Sequence, residues 1–240
     1  MSARSVMQAV GCAILATVAI LPADQAVAAD NGIYGRLDVG AAISAGTGGD
    51  IFNGTGFGND FGKTAAFDLG IGATIPVGLN GVDFRGDFTV GYLPSFNGDH
   101  SAPNASGATI LSTQTNVRTW TAMINAYADI PTGTSITPYV GIGVGGAFNH
   151  LGLLAYNFNG TPGATEPGAD TTSFAWSGMV GLGYKLSGSA TLDLGYRYLD
   201  AGDVASSGTV TLANGVTSTQ APVRSRLSAH ELTVGVRLDF

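Results

Sequence analysis

Arginines and carboxylates recur in this chain at a spacing of two: Arg36 with Asp38, and Arg85 with Asp87. Asp68, Arg197, Glu231 and Arg237 stand in stretches of the same kind, where a polar or charged residue alternates with an apolar one. In an extended chain this spacing puts the charges on one face and the apolar residues on the other. Guanidinium forks and carboxylates form bidentate ion pairs, which fix long side chains across a gap. Unpaired buried charges are expensive, so an enclosed set of this kind is expected to pair, with Asp38, Asp87 and Glu231 as the expected partners. Two outcomes fit the pattern: a polar plug that stands in for a hydrophobic core, or a narrow hydrated pathway with a charge-selective constriction.

Other arrangements carry less. Gly141, Gly143, Gly145 and Gly146 echo a dinucleotide-binding loop, but that loop leaves a strand and opens a helix. Here the glycines lie inside a strand pattern and are followed by "AFNHLG". His230-Glu231 has the start of a zinc protease signature, yet Val234 stands where the second histidine belongs, in a segment that reads as strand. His100 and His150 read as loop residues with no ligand spacing to one another. Ser228 and His230 share the outward face of the last strand, as a lipid-modifying esterase would require. The acid that should orient the imidazole is missing there, because Glu231 points the other way. Asp50, Asp60, Asp99, Asp170, Asp200 and Asp203 lack EF-hand spacing and read as solvated surface. No catalytic residue, metal or cofactor is expected.

The charged faces need elements to hold them, and alternation supplies eight strands. They cover about Ile33–Ser44, Lys63–Ile75, Val82–Tyr92, Val117–Ile130, Thr137–Phe148, Thr172–Leu186, Ala190–Asp200 and Ala229–Phe240. In the third, Val82, Phe84, Phe88, Val90 and Tyr92 oppose Asp83, Arg85 and Asp87. In the last, His230, Leu232, Val234, Val236, Leu238 and Phe240 oppose Glu231, Thr233, Gly235, Arg237 and Asp239. In every strand the central charges share the face opposite the large apolar residues. A charge facing lipid at mid-depth costs roughly 2–4 kcal/mol. The pattern therefore fits a charged face turned into a lumen and an apolar face turned to lipid. Among the aromatics Tyr34, Tyr92, Trp120, Trp176, Tyr196 and Tyr198, several outward ones are expected in interfacial girdles.

Connections alternate in length. "PVGLN", "PTGTS" and "SGS" are short, whereas about 45–62, 93–116, 149–171 and 201–224 are long. Barrels of the outer membrane have short periplasmic turns and long external loops, which puts both termini on the periplasmic side. Asn214-Gly215 within "TVTLANGVTST" predicts a type I′ hairpin projecting above the membrane. Its arms are too short to span, which takes about nine to eleven residues.

The N-terminus carries Arg4, an apolar run from Val10 to Leu21, and the small-x-small site Ala26-Val27-Ala28. This reads as a signal peptide over residues 1–28, with a barrel domain over 29–240. The apolar run is shorter than the roughly 20 residues of a spanning helix. The single cysteine, Cys12, would leave with the signal. Charged residues are only 11% and the net charge is −7, which argues against nucleic acid as a partner.

"NAYADI", "TPYVGIGVG", "FAWSGMVGLGYKL", "LDLGYRYLD" and "HELTVGVRLDF" resemble the small bacterial outer-membrane β-barrel family of porin-like and opacity-type surface antigens. The resemblance implies an all-β, eight-stranded antiparallel up-and-down transmembrane barrel. It implies outer-membrane lipid and lipopolysaccharide as surroundings, and the outer-membrane assembly machinery as a partner that reads the terminal Phe240. The expected role is non-enzymatic, in envelope integrity and in surface interaction through extracellular loops. A small-solute channel is the alternative, and a lipid A-modifying enzyme a distant third.

Overall fold

The computed structural model describes residues 32–45, 62–79, 81–103 and 109–240. The expected signal peptide, Asp50 and Asp60 lie outside them. The strands are β1 (Ile33–Ser44), β2 (Lys63–Leu79), β3 (Val82–Pro103), β4 (Thr109–Asp129), β5 (Ile136–Leu151), β6 (Leu154–Phe158), β7 (Thr161–Glu166), β8 (Asp170–Lys185), β9 (Ala190–Ala205), β10 (Thr209–Leu212), β11 (Thr217–Thr219) and β12 (Arg224–Asp239). Eight of them close into an antiparallel ring, β1-β2-β3-β4-β5-β8-β9-β12, which β12 completes by pairing with β1 from Tyr34↔Asp239 to Ser44↔Ala229.

The alternation of the sequence is the alternation of the wall. Leu69, Ile124, Ile142, Phe174 and Leu232 are 65–69% exposed on the outside. Asp38, Asp68, Arg85, Asp87 and Glu231, set off from them by one residue, are buried inside. In water such an exterior would aggregate; in lipid it is the stabilising surface, and the closed ladder leaves no backbone group unpaired there.

The long connections hold more structure than their composition signals. β3 and β4 run for 22 and 21 residues, about twice the span of a bilayer, and continue above it as a paired ribbon. His100 and Asp99 thus lie in β3, and His150 in β5, not in loops. Higher up, β4 exchanges β5 for β6, and β6, β7, β10 and β11 extend the sheet. The β6–β7 hairpin turns at Asn159 and Gly160, both at positive φ (50° and 77°), an Asn-Gly signal of the kind that favours a primed turn. The Asn214-Gly215 hairpin also forms, but not as a type I′ turn. Gly215 has φ 84° while Asn214 is not in that region, and Gly215 N donates to Leu212 O at 2.9 Å.

Two seams are closed at very short range. A Cβ on Gly40 would lie 2.1 Å from the Leu232 carbonyl oxygen, and one on Gly145 would lie 2.0 Å from that of Ala122. Backbone cannot yield as a flexible side chain can, so glycine is required at both. The folded protein is expected to resist dodecyl sulfate at room temperature and to change gel mobility on boiling, because a closed ladder opens only cooperatively. Gly40→Ala should lower the temperature of that change. Gly188→Ala, in an exposed turn with open space around it, should not. Identical mobility before and after boiling in vesicle-refolded material would contradict closure.

Candidate functional site: the barrel lumen

The inward side chains form two layers. The periplasmic half is ionic. Arg36, on β1, binds Asp38 through Nε at 2.8 Å and Nη2 at 3.0 Å, and reaches Asp87 through Nη1 at 3.1 Å. Arg197, on β9, holds Glu231 through Nε at 2.6 Å and Asp68 through Nη2 at 2.9 Å. Arg85 donates to Asp129 at 2.9 Å and lies 3.9 Å from the centroid of the Tyr127 ring. Arg237 is more loosely held, 3.9 Å from both Asp129 and Asp193. The structure thus brings Arg36, Asp38, Asp68, Arg85, Asp87, Arg197, Glu231 and Arg237 into one bore.

Asp129, Asp193, Tyr34, Tyr127 and Tyr139 complete this layer. Alternation puts each on the inward face of its strand, opposite the large apolar residues, but does not show that they join the charge network. Tyr34 does not belong to a girdle. It is 1% exposed, and its hydroxyl donates to Asp87 at 3.2 Å. Glycines make room for the bulk: a Cβ on Gly141 would meet the Tyr127 ring at 2.5 Å, and one on Gly181 the Tyr139 ring at 2.4 Å. What space remains between Arg36, Asp38, Asp68, Asn125 and Arg197 is a cavity of about 20 Å³, room for one water.

The extracellular half mixes an apolar core with buried polar residues, among them Thr119, whose hydroxyl donates to Asn149 Oδ1 at 2.8 Å. Leu93, Phe96, Val117, Leu151, Leu154, Leu199, Val204 and Leu227 are at most 5% exposed and pack together with Ala42, Ala66 and Ala229. The β6–β7 hairpin adds Leu154, Tyr156 and Ala164 to this core and is fastened by Glu166, which is fully buried. Glu166 accepts from the Tyr156 hydroxyl at 2.8 Å, from the Gly208 amide at 3.1 Å and from the Ser206 hydroxyl. Burial, with the Glu166 carboxylate alongside, pushes the Tyr156 hydroxyl above its ordinary value. The clasp is therefore intact below the ordinary tyrosine range and is lost only as pH rises through the raised one.

On the outer wall, Tyr92 and Trp120 stack at 4.2 Å, and Trp176, Tyr198, Tyr196 and His230 form a second cluster. His230 Nδ1 lies 2.7 Å from the Tyr196 hydroxyl. Ser228 is 1% exposed behind a register shift between Arg226 and Ser228, so it does not share the accessible face expected of a nucleophile beside His230. His150 binds Asp170 at 2.5 Å on the outer surface.

A family model described as the outer membrane protein beta-barrel domain matches residues 13–240. The chain belongs to that family. It is a bacterial outer-membrane barrel protein. Among curated relatives, the outer membrane protein PagN of Salmonella typhimurium is 30% identical over 156 residues, 55% of this chain and 63% of PagN. An uncharacterized protein of Brucella abortus is 40% identical over 83 residues, 33% of this chain; the match spans only 29% of that protein's own length. Among solved structures, Neisserial surface protein A has 18% identity and a TM-score of 0.45, covering 87% of this chain and 97% of its own. OprG of Pseudomonas aeruginosa has 11% identity and a TM-score of 0.48, with the same coverage.

Arg197 clamps two carboxylates, so its removal should be the most damaging single change in the lumen. Arg197→Met is expected to lower stability to urea in vesicles by about 3–5 kcal/mol, because it leaves two buried carboxylates unpaired. Lys185→Met, at the exposed periplasmic end, should change it by less than about 0.5 kcal/mol. Equal effects would contradict an enclosed network.

Proposed function

We propose that this protein is a closed, non-enzymatic barrel that contributes to envelope integrity and carries a rigid extracellular sheet for surface interaction. The observation behind this reading is the double filling of the lumen. Ion pairs occupy the periplasmic half, and a core that includes residues of the β6–β7 hairpin occupies the extracellular half. Either layer alone would narrow the bore; together they leave a solute no continuous polar path. The extended strands β3 and β4, with β6, β7, β10 and β11, give the external surface a hydrogen-bonded framework rather than mobile loops. That is the property a surface-contact role uses. An esterase reading has little support, with Ser228 buried and His230 engaged by Tyr196.

In planar bilayers the wild-type protein should show no steady conductance. Phe96→Gly combined with Leu227→Ser, which opens and wets the apolar layer, should produce one. Large, steady, voltage-independent wild-type channels would overturn this reading in favour of a small-solute pore.

Phe240 ends the outward face of β12 at the periplasmic rim, 55% exposed, with its amide donating to Ile33 O at 2.9 Å. Its ring lies over Gly35 yet stays more than half exposed, and we assign it a role in recognition by the assembly machinery. Deleting Phe240 should lower outer-membrane yield in cells while refolding into detergent stays largely intact. Equal losses in both assays would indicate a packing role.

A further inference from the structure

Charge in the ionic half of the lumen does not balance. Among the described residues, four arginines there face six carboxylates. The ion pairs divide into three groups. Arg85 and Arg237 with Asp129 and Asp193 are neutral as a set. Arg36 serves two carboxylates, Asp38 and Asp87, and there neutral donors make up the difference: the Tyr34 hydroxyl and Asn125 Nδ2 donate to Asp87 at 3.2 and 2.7 Å. Arg197 also serves two, Asp68 and Glu231. Among the described residues no other side chain donates to either, and Glu231 Oε1, in a residue with no exposed surface, has no partner. One negative charge is thus left over in an enclosed space, a costly arrangement unless something cancels it.

The register shows where the compensation belongs. Asp38 and Asp68 are direct cross-strand partners on β1 and β2, both inward and both buried. Like charges in that relation repel. The cavity of about 20 Å³ lies against this pair, and Thr89, Asn125 and Thr233 also line it. Arg36 and Arg197 border it as well, each already committed to two carboxylates. Asn125 spends Nδ2 on Asp87 and Thr89, and its buried Oδ1 has no partner. A water in the cavity gives that oxygen a donor and leaves the charge; a proton on Glu231 cancels the charge and leaves the oxygen. A small metal cation answers both. Calcium takes about six to eight oxygen ligands and magnesium keeps several waters, which a space for one water does not allow. A single monovalent ion fits.

We propose that the lumen cavity beside Asp38 and Asp68 binds one monovalent metal cation of sodium's size, held by the two carboxylates and by uncharged oxygens of Asn125, Thr89 and Thr233. The site rests on the closed-lumen reading, and the two fail separately: bilayer recordings test closure, and a barrel indifferent to sodium can still be closed. The test follows urea unfolding in phosphatidylcholine vesicles by tryptophan fluorescence, at fixed pH and fixed chloride, as sodium replaces choline, a cation too large for the cavity. The wild-type midpoint should rise saturably with sodium. Asp68→Asn removes the surplus charge and should need about tenfold more sodium for half the effect, roughly 1.4 kcal/mol. Asp170→Asn, at an exposed carboxylate on the outer surface, should follow wild type. A wild-type midpoint that does not move with sodium, an unchanged sodium dependence in Asp68→Asn, or the same loss in Asp170→Asn would each overturn the proposal. Should Asp68→Asn fail to refold, Asp38→Asn is read in the same assay, with the same outcomes deciding.

Discussion

A sheet placed in hydrocarbon cannot leave an edge, because each unpaired amide or carbonyl there costs several kcal/mol. The pairing of β1 with β12 over Tyr34–Ser44 and Asp239–Ala229 removes that edge, and the rest of the structure follows from it. Closure requires backbones to approach where the seam is tightest, which is why Gly40 and Gly145 have no room for a side chain. It also reverses the usual arrangement of a folded protein. The apolar surface lies outside, and the interior must be filled by whatever alternates with it.

That interior is just wide enough for side chains to fill. Its two halves are filled by different physics. Below, four arginines span the bore to six carboxylates, and tyrosines provide faces against which guanidiniums lie. Charges there are tolerable because each has a partner and because glycines such as Gly141 and Gly181 yield the volume their neighbours occupy. Above, where strands rise past the bilayer and meet water on the outside, apolar inward residues such as Phe96 and Leu227 pack into a core of the soluble kind, with the hydrogen-bonded Thr119–Asn149 pair beside it. The external sheet can then be rigid, because it rests on a packed core and is clasped at Glu166.

The barrel was legible because a period of two is a strong signal when it is kept over a whole strand and when charge reports which side is which. Arg85 with Asp87, and Glu231 with Arg237, defined the lumen face, and each of the eight wall strands appears near its expected place. Partner choice was not legible. That Arg197 would hold Asp68, at the other end of the sequence, depends on register and on the curvature of the ring, which local pattern does not encode. The apolar upper layer was missed for a related reason. Above the membrane the outside of the wall is polar too, so the contrast that marks a strand fades. Leu93, Phe96 and Leu154 then look like scattered hydrophobic residues in long loops. The Asn159-Gly160 turn was a usable signal for the β6–β7 hairpin. Ser228 keeps the parity of Arg226 and His230 yet is buried, because alternation reports which side a residue faces and not what covers it.

The closed lumen proposed for this barrel rests on two buried layers, an ionic one toward the periplasm and an apolar core with buried threonines above it. The chain's single cysteine, Cys12, lies in the expected signal peptide, which makes side-specific thiol labelling the direct measurement. Thr233 lines the small cavity in the ionic half. A Thr233→Cys protein refolded into vesicles in a known orientation should resist a small charged thiol reagent supplied on either side and react only once unfolded. Rapid reaction of the folded protein from either side would contradict a closed lumen.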